Sequence, residues 1–294
     1  MKIANSVTNT INLKASDNQP NIFSQLIKRI YYAVRCGGQH DVFRQISTYN
    51  DICNLASIND YAFNNFKSHP AYKAVLEHVS YEQGLAYYEC IKTDGYIDLN
   101  KDRDKIFCND LFGNPTMYYY DGIGLCSPTT LRYMKVLSDI IDIFNFKNQI
   151  SVVEIGVGYG GQCRIITEFL NVKKYTLVDI TPALNLSRRY LENFIIDCEL
   201  SFLSLNEISK INNTDLLLSN YAYSELNRMA QDSYNEKIIK HCRNGYITYN
   251  HITDQKFNTY TANEFASMLH TDCKILPEEP CTHPLNKIVV WKMD

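Results

Sequence analysis

The sequence predicts an α/β protein: a Rossmann-like, mostly parallel sheet that follows a mainly helical N-terminal extension. Three observations carry this. From residue 151 onward, strand-like runs alternate with helix-like ones, which is the pattern of βαβ units. A glycine cluster, VVEIGVGYGG at 152–161, stands directly behind the first of those strands. From Ile22 to Cys90 the apolar residues recur mostly at helical rather than strand spacing.

Length and composition set the frame. At 294 residues the chain is long for one domain and short for two. It divides into a mainly helical region, 1–126, expected to act as a lid or substrate wall, and a sheet domain, 127–294. Hydrophobic content of 45% and charged content of 21% are those of an ordinary soluble protein. A formal charge of −3 gives no electrostatic footprint for nucleic acid or an anionic membrane surface. The ten cysteines are scattered with no C-x-x-C, which argues against a zinc site and a redox dithiol and fits a reducing compartment. The first residues lack the apolar core of a signal peptide, and no apolar stretch approaches the ~20 residues of a membrane span. The expectation is a cytoplasmic protein without a membrane span; its oligomeric state is open, a homo-oligomer included. Tyrosine, at 22 residues against one tryptophan, reflects a biased genome or supplies flat walls for a sugar.

Each element follows from local pattern. Ile22, Phe23, Leu26, Ile27 and Ile30 mark one early helix; Tyr72, Val75, Leu76 and Val79 mark another, opened by Pro70. Residues 92 to 126 show little periodicity. Ser127 and Pro128 read as N-cap and first turn of a helix whose apolar face is Leu131, Met134, Leu137, Ile141 and Phe144. Then come SVVEI and a helix from about Gln162, YTLVDI and a helix over about 183–195, and SFLSLNEI. LLLSNYA follows, with a helix ending near Cys242, then GYITYN, CKILP and KIVVWKM. That makes seven strand-like runs. The last two lack a long crossover between them, so they are expected to pair antiparallel at the sheet edge.

The glycines admit two motifs. Gly156, Gly158 and Gly161 satisfy the dinucleotide spacing G-x-G-x-x-G. Glu154, Gly156, Gly158 and Gly160 satisfy E-x-G-x-G-x-G. Charge separates them. A pyrophosphate is neutralised by a helix N-terminus, and a carboxylate beside it is misplaced; the ammonium of an adenosyl-amino acid welcomes one. Asp179, at the end of YTLVDI, can accept from the two hydroxyls of a ribose in either case. No further catalytic domain follows, as a nicotinamide enzyme would need.

The second motif resembles motif I of class I S-adenosylmethionine-dependent methyltransferases. The series SPTTLRYMKVLSDII, VVEIGVGYGGQCRII, YTLVDI, LLLSNYAYSELNR and GYITYNHI is similar, over roughly residues 120 to 294, to the sugar O-methyltransferase family of bacterial surface-glycan clusters. The resemblance implies a seven-stranded methyltransferase sheet with an antiparallel last strand, and methylation of a sugar hydroxyl of a surface glycan or its precursor. It implies S-adenosylmethionine as cofactor and S-adenosylhomocysteine as product, held by Glu154, Gly156, Gly158, Tyr159, Gly160, Asp179, Ser219 and Asn220, with the glycines admitting the methionyl part. Val157 departs from the expected glycine, and within SFLSLNEI no acid directly follows the third strand, which leaves Ser204 or Asn206 for the adenine.

Ligands in an open α/β sheet sit beyond the carboxyl ends of the strands. Those segments supply Tyr221, Tyr223, Tyr249, Asn250 and His283 as substrate contacts. His251 is the first choice of general base, since imidazole accepts a proton near neutral pH; Glu225 is second, as base or orienting group. A metal held by His251, Asp254 and another acid is conceivable, but no spacing demands one. A nicotinamide-dependent oxidoreductase and a non-catalytic cofactor-binding relative are the rival readings.

Overall fold

The computed structural model describes residues 39–208, 211, 214–250, 257–269 and 272–292. The early helix expected around Ile22–Ile30 lies outside them. The described chain begins with short helices: α1 (Gln39–Gln45), α2 (Tyr49–Ile58), α3 (Asp60–Asn65) and α4 (Pro70–Lys73). Next come α5 (Tyr81–Asp94), α6 (Arg103–Phe107) and an antiparallel hairpin, β1 (Tyr118–Tyr120) and β2 (Gly124–Cys126). Then α7 (Pro128–Phe144) leads into β3 (Ile150–Ile155), α8 (Gly161–Phe169), β4 (Val172–Val178), α9 (Thr181–Leu191) and β5 (Glu199–Leu203). The chain continues with β6 (Thr214–Asn220), α10 (Arg228–Lys237), β7 (Cys242–Tyr249), α11 (Ala262–Met268), β8 (Asp272–Pro277) and β9 (Lys287–Lys292).

The seven strands from β3 form one sheet in the order β5-β4-β3-β6-β7-β9-β8. Neighbours from β5 to β7 are parallel, and β9 runs antiparallel to both β7 and β8. This is the mostly parallel sheet with an antiparallel last strand that the sequence implies, and the closing pair does lie at the edge. Strand order reverses between β3 and β6, so the crevice for a ligand opens beyond the carboxyl ends of those strands.

The helix over 128–144 forms as read. The Ser127 hydroxyl accepts from the Thr130 N–H at 3.1 Å, Pro128 occupies the first turn, and Leu131, Met134 and Leu137 are fully buried. Its other face is buried too: Lys135 pairs with Asp139 at 2.5 Å and with Asp94 of α5 at 3.4 Å, because α5 lies along α7. On the same side α2 packs along α9. One apolar cluster therefore joins Ile52, Tyr87 and Tyr120 of the N-terminal part to Met134, Tyr159, Leu177 and Tyr190 of the sheet and its helices. The opposite sheet face holds a second cluster around Val153, Leu217, Ile247, Phe265 and Trp291.

Two local readings fail. The helix opened by Pro70 stops at Lys73, and residues 74–80 turn across the glycine loop instead. Tertiary contacts outbid the local spacing: Arg132 Nη2 donates to the Leu76 carbonyl at 3.3 Å, and Thr129 donates to the buried Glu77 at 2.9 Å. Ser80 then opens α5 through a capping box with Gln83. The weakly periodic stretch 92–126 contains α6 and the β1–β2 hairpin, whose three-residue strands are too short to show alternation.

Candidate active site

A cavity of about 840 Å³ opens at the switch point between β3 and β6. Its floor is the strand ends and the glycine loop; its opposite wall is residues 74–87 with Arg132 and Tyr133 of α7.

Glu154 reaches the cavity from β3 while only 2 % exposed. The Tyr175 hydroxyl donates to its Oε2 at 2.7 Å, and burial pushes its pKa up to about 8. Asp179, just past β4, accepts from the Gly158 N–H at 3.1 Å and from the Ile180 N–H at 2.7 Å. Burial pushes it up to about 6, against the pull of those loop amides. Both acids thus take protons more readily than free carboxyls, and a cation or a donor beside either would restore the charge. Tyr49 of α2 lines the Asp179 end.

The glycines matter for a reason the sequence did not disclose. Gly156 has φ +81°, and a Cβ there would stand 2.0 Å from the Ala222 Cβ. At Gly158 the φ is +54° and the neighbour is Leu76 Cδ1, at 2.7 Å. The space left by the missing side chains at these two positions is filled by the protein itself, from β6's exit and from the 74–80 segment, rather than held open for a ligand.

At the far end, Asn220 donates to Gln162 Oε1 at 3.2 Å while its own Oδ1 has no partner. Tyr221 adopts φ +65° and donates its hydroxyl to Glu278 of the turn before β9, with its ring 5.7 Å from the Arg132 guanidinium. Glu225 stands at the rim and accepts from Asn250 Nδ2 at 2.7 Å; partial desolvation raises its pKa, and that amide opposes the rise. The Asn250 backbone N–H donates to Ser224 Oγ at 3.0 Å, and its Oδ1 is another orphan acceptor, as is that of Asn286.

Of the residues expected at the site, Glu154, Gly156, Gly158, Asp179, Asn220, Tyr221, Glu225 and Asn250 converge on the cavity. Others do not line it. Tyr159 is fully buried on the core side, edge-on to Tyr190 at 4.8 Å, with its hydroxyl accepting from Asn109. Gly160 caps α8 against Leu191. Ser219 donates to the Ile155 carbonyl at 2.9 Å and accepts from the Tyr223 N–H at 3.1 Å, so it braces the chain behind the site. Tyr223 and Tyr249 belong to the second apolar cluster: strand alternation turns Tyr249 away from the cavity, and Tyr223, in the short helical turn Ala222–Glu225, packs against Phe265 with its hydroxyl on Asn235. Ser204 pairs locally with Glu207, and His283 is exposed, its Nδ1 accepting from the Leu285 N–H. His251 and Asp254 lie outside the described residues.

The sequence reading missed the opposite wall: Tyr49, His78, Gln83, Tyr87, Arg132 and Tyr133. His78 is held below the usual histidine range by desolvation and by the charge of Arg132, so it is neutral at pH 7. Arg132 and Tyr133 fall in the run SPTTLRYMKVLSDII, of which only the apolar face was read, and the others fall in no motif.

Among the described residues no group of three His, Cys, Asp or Glu side chains could hold a metal ion, and no helix is long and apolar enough to cross a membrane. No protein-family model and no curated protein matches the sequence. Solved structures do align with it. The CurJ carbon methyltransferase aligns with a TM-score of 0.43 at 12% identity, over 71% of this chain and 65% of that one. The methyltransferase domain of bacterial CtHen1 gives 0.42 at 13%, over 55% and 97%. TrmK of M. capricolum, in complex with S-adenosyl-homocysteine, gives 0.36 at 12%, over 53% and 66%. The similarity is one of backbone path. The fold itself is read from strand order: a Rossmann-like, mostly parallel seven-stranded sheet with an antiparallel last strand.

Proposed function

We propose that this chain is an S-adenosylmethionine-dependent methyltransferase whose acceptor is a hydroxyl of a sugar or glycoconjugate, as in surface glycans and their precursors. The observation that carries the reading is the pair of acids, Glu154 and Asp179, flanking one glycine loop inside one cavity. Glu154 there opposes a pyrophosphate, and the two acids together favour a ligand bearing an ammonium and ribose hydroxyls. The nicotinamide alternative keeps only the glycine spacing and Asp179.

The bound cofactor would supply a methyl group on a sulfonium. Glu154 would face the ammonium and give up its proton to do so. Asp179 would accept from the ribose, with Tyr49 walling that end. The acceptor would lie toward Tyr221, Glu225 and Asn250, where the unpartnered Oδ1 atoms of Asn220, Asn250 and Asn286 accept from hydroxyl groups. Holding the nucleophile in line is worth on the order of 7–11 kcal/mol. A base for its proton adds roughly 10²–10⁴-fold. Glu225 and neutral His78 line the cavity and can take that proton; His251, next to Asn250 in the chain, is the third candidate.

Calorimetric titration with S-adenosylhomocysteine, and with NAD in parallel, tests the cofactor. Micromolar binding of the former is expected, with release of close to one proton at pH 7 as Glu154 ionises. Binding of NAD alone would overturn the reading. With an acceptor in hand, Glu225→Ala, His78→Asn and His251→Ala separate an enzyme from a binding protein: the substitution that removes the base should abolish turnover and leave S-adenosylhomocysteine affinity unchanged.

A further inference from the structure

Arg132 is the feature of the cavity that the methyl-transfer chemistry does not use. Its side chain is buried, 7 % exposed, and lines the cavity from α7. Of the five guanidinium donors, one goes to the Leu76 carbonyl at 3.3 Å and the Tyr133 phenol engages the group as well; Nε has no partner. The phenols of Tyr221 and Tyr87 and the imidazole of His78 are its other close neighbours. Among the described residues no carboxylate stands within ion-pair distance of it. Glu77, which feels the charge of Lys67 and of Arg132, makes no ion pair with Arg132: its Oε2 accepts from Thr129 and its Oε1 has no partner. Among the described residues the other buried cations each face an acid or a carbonyl: Lys135 has two acids, Arg164 has Glu168 although its Nη1 is unpartnered, and Lys67 has the Asn109 carbonyl with the Tyr159 ring. A buried guanidinium without a counter-charge is costly unless a ligand supplies one, and its planar fork suits a carboxylate.

We infer that Arg132 forms an anion subsite in this cavity that receives the carboxylate of a bound ligand. That carboxylate has two chemical sources, the amino-acid end of the adenosyl cofactor or an acidic group on the acceptor. The inference rests on the methyltransferase reading for the first source and stands without it for the second.

The test compares the full chain with Arg132→Gln and Arg132→Lys by titration calorimetry. The probes are S-adenosylhomocysteine, its decarboxylated analogue, which keeps the amine, and glucuronate against neutral glucose. If the cofactor supplies the anion, Arg132→Gln weakens S-adenosylhomocysteine by about 10- to 100-fold, leaves the decarboxylated analogue unchanged, and Arg132→Lys recovers part of the loss. If the acceptor supplies it, S-adenosylhomocysteine binds both proteins alike, while glucuronate but not glucose binds wild type and fails to bind Arg132→Gln. The inference is overturned when neither ligand distinguishes the variant from wild type. Should Arg132→Gln not fold, as judged by its melting curve, wild type alone decides: equal affinity for the two adenosyl ligands together with no glucuronate binding sinks the idea. Failure of wild type to bind any adenosyl ligand would instead refute the methyltransferase reading, and the glucuronate comparison would still judge Arg132.

Discussion

The two walls of the cavity are built on different terms. The strand-end wall is set by backbone: parallel register delivers Glu154 and Asn220, positive φ angles shape Gly156 and Gly158, and loop amides hold Asp179. The opposite wall is set by side chains that reach across the chain. Thr129 meets Glu77 at a separation of 52 positions, and Arg132 meets Leu76 at 56. Behind it, Asp110 accepts from the Ser127 N–H, the Ser127 hydroxyl and the Thr130 hydroxyl, fastening the N-terminal part to the start of α7. A wall made of backbone announces itself in short motifs, whereas one made of long-range side-chain contacts leaves only scattered polar residues.

The contrast can be broken most severely at the glycine loop. Gly156→Ala combines a left-handed backbone cost of about 1–2 kcal/mol with a clash against Ala222 of about 1–3 kcal/mol. A loss of about 4 kcal/mol is expected in urea unfolding. On the other wall, Asp110→Ala strands three donors at a buried helix start and should cost about 3 kcal/mol. If it costs nothing, the polar fastening is ornamental and the N-terminal helices hold by apolar packing alone.

Glu154→Gln sharpens the comparison through pH. The native carboxyl holds its proton up to about pH 8, whereas the unfolded one releases it near 4.5. Wild type therefore loses stability as pH rises across that window, by on the order of 1 kcal/mol per pH unit. The glutamine variant does not titrate there, so its advantage should grow from pH 5 to pH 8; a constant difference between the two melting curves would show that Glu154 is ionised in the free protein. Gly95→Ala is the small-effect control. Gly95 ends α5 at φ +71° with nothing within 4 Å of the added Cβ. About 1 kcal/mol is expected, and an equal cost at Gly95 and Gly156 would remove close approach from the argument.

Much of this was legible beforehand. The Ser127–Pro128 helix start, the alternation after residue 151 and the antiparallel closing pair all rest on local chemistry. So do Glu154 and Asp179, whose place at strand ends follows from where their apolar runs stop. Tyr159, Tyr223 and Tyr249 were misplaced because composition says that a tyrosine is large and amphipathic, not which way its side chain points. For Tyr249 the alternation of β7 decides that, for Tyr223 the helical turn after β6 that packs it on Phe265, and for Tyr159 the packing of α9.

The sequence by itself determined the sheet, its alternation of strands and helices and the acids at its strand ends, since periodicity and turn chemistry act over a few residues. Only the tertiary structure decided that residues 74–80 abandon their helix to cover the glycine loop. The same holds for His78 and Arg132, which line the cavity, Arg132 beside the Tyr221 ring. Those outcomes turn on pairs of residues some 50 and more positions apart, whose mutual burial no local window contains.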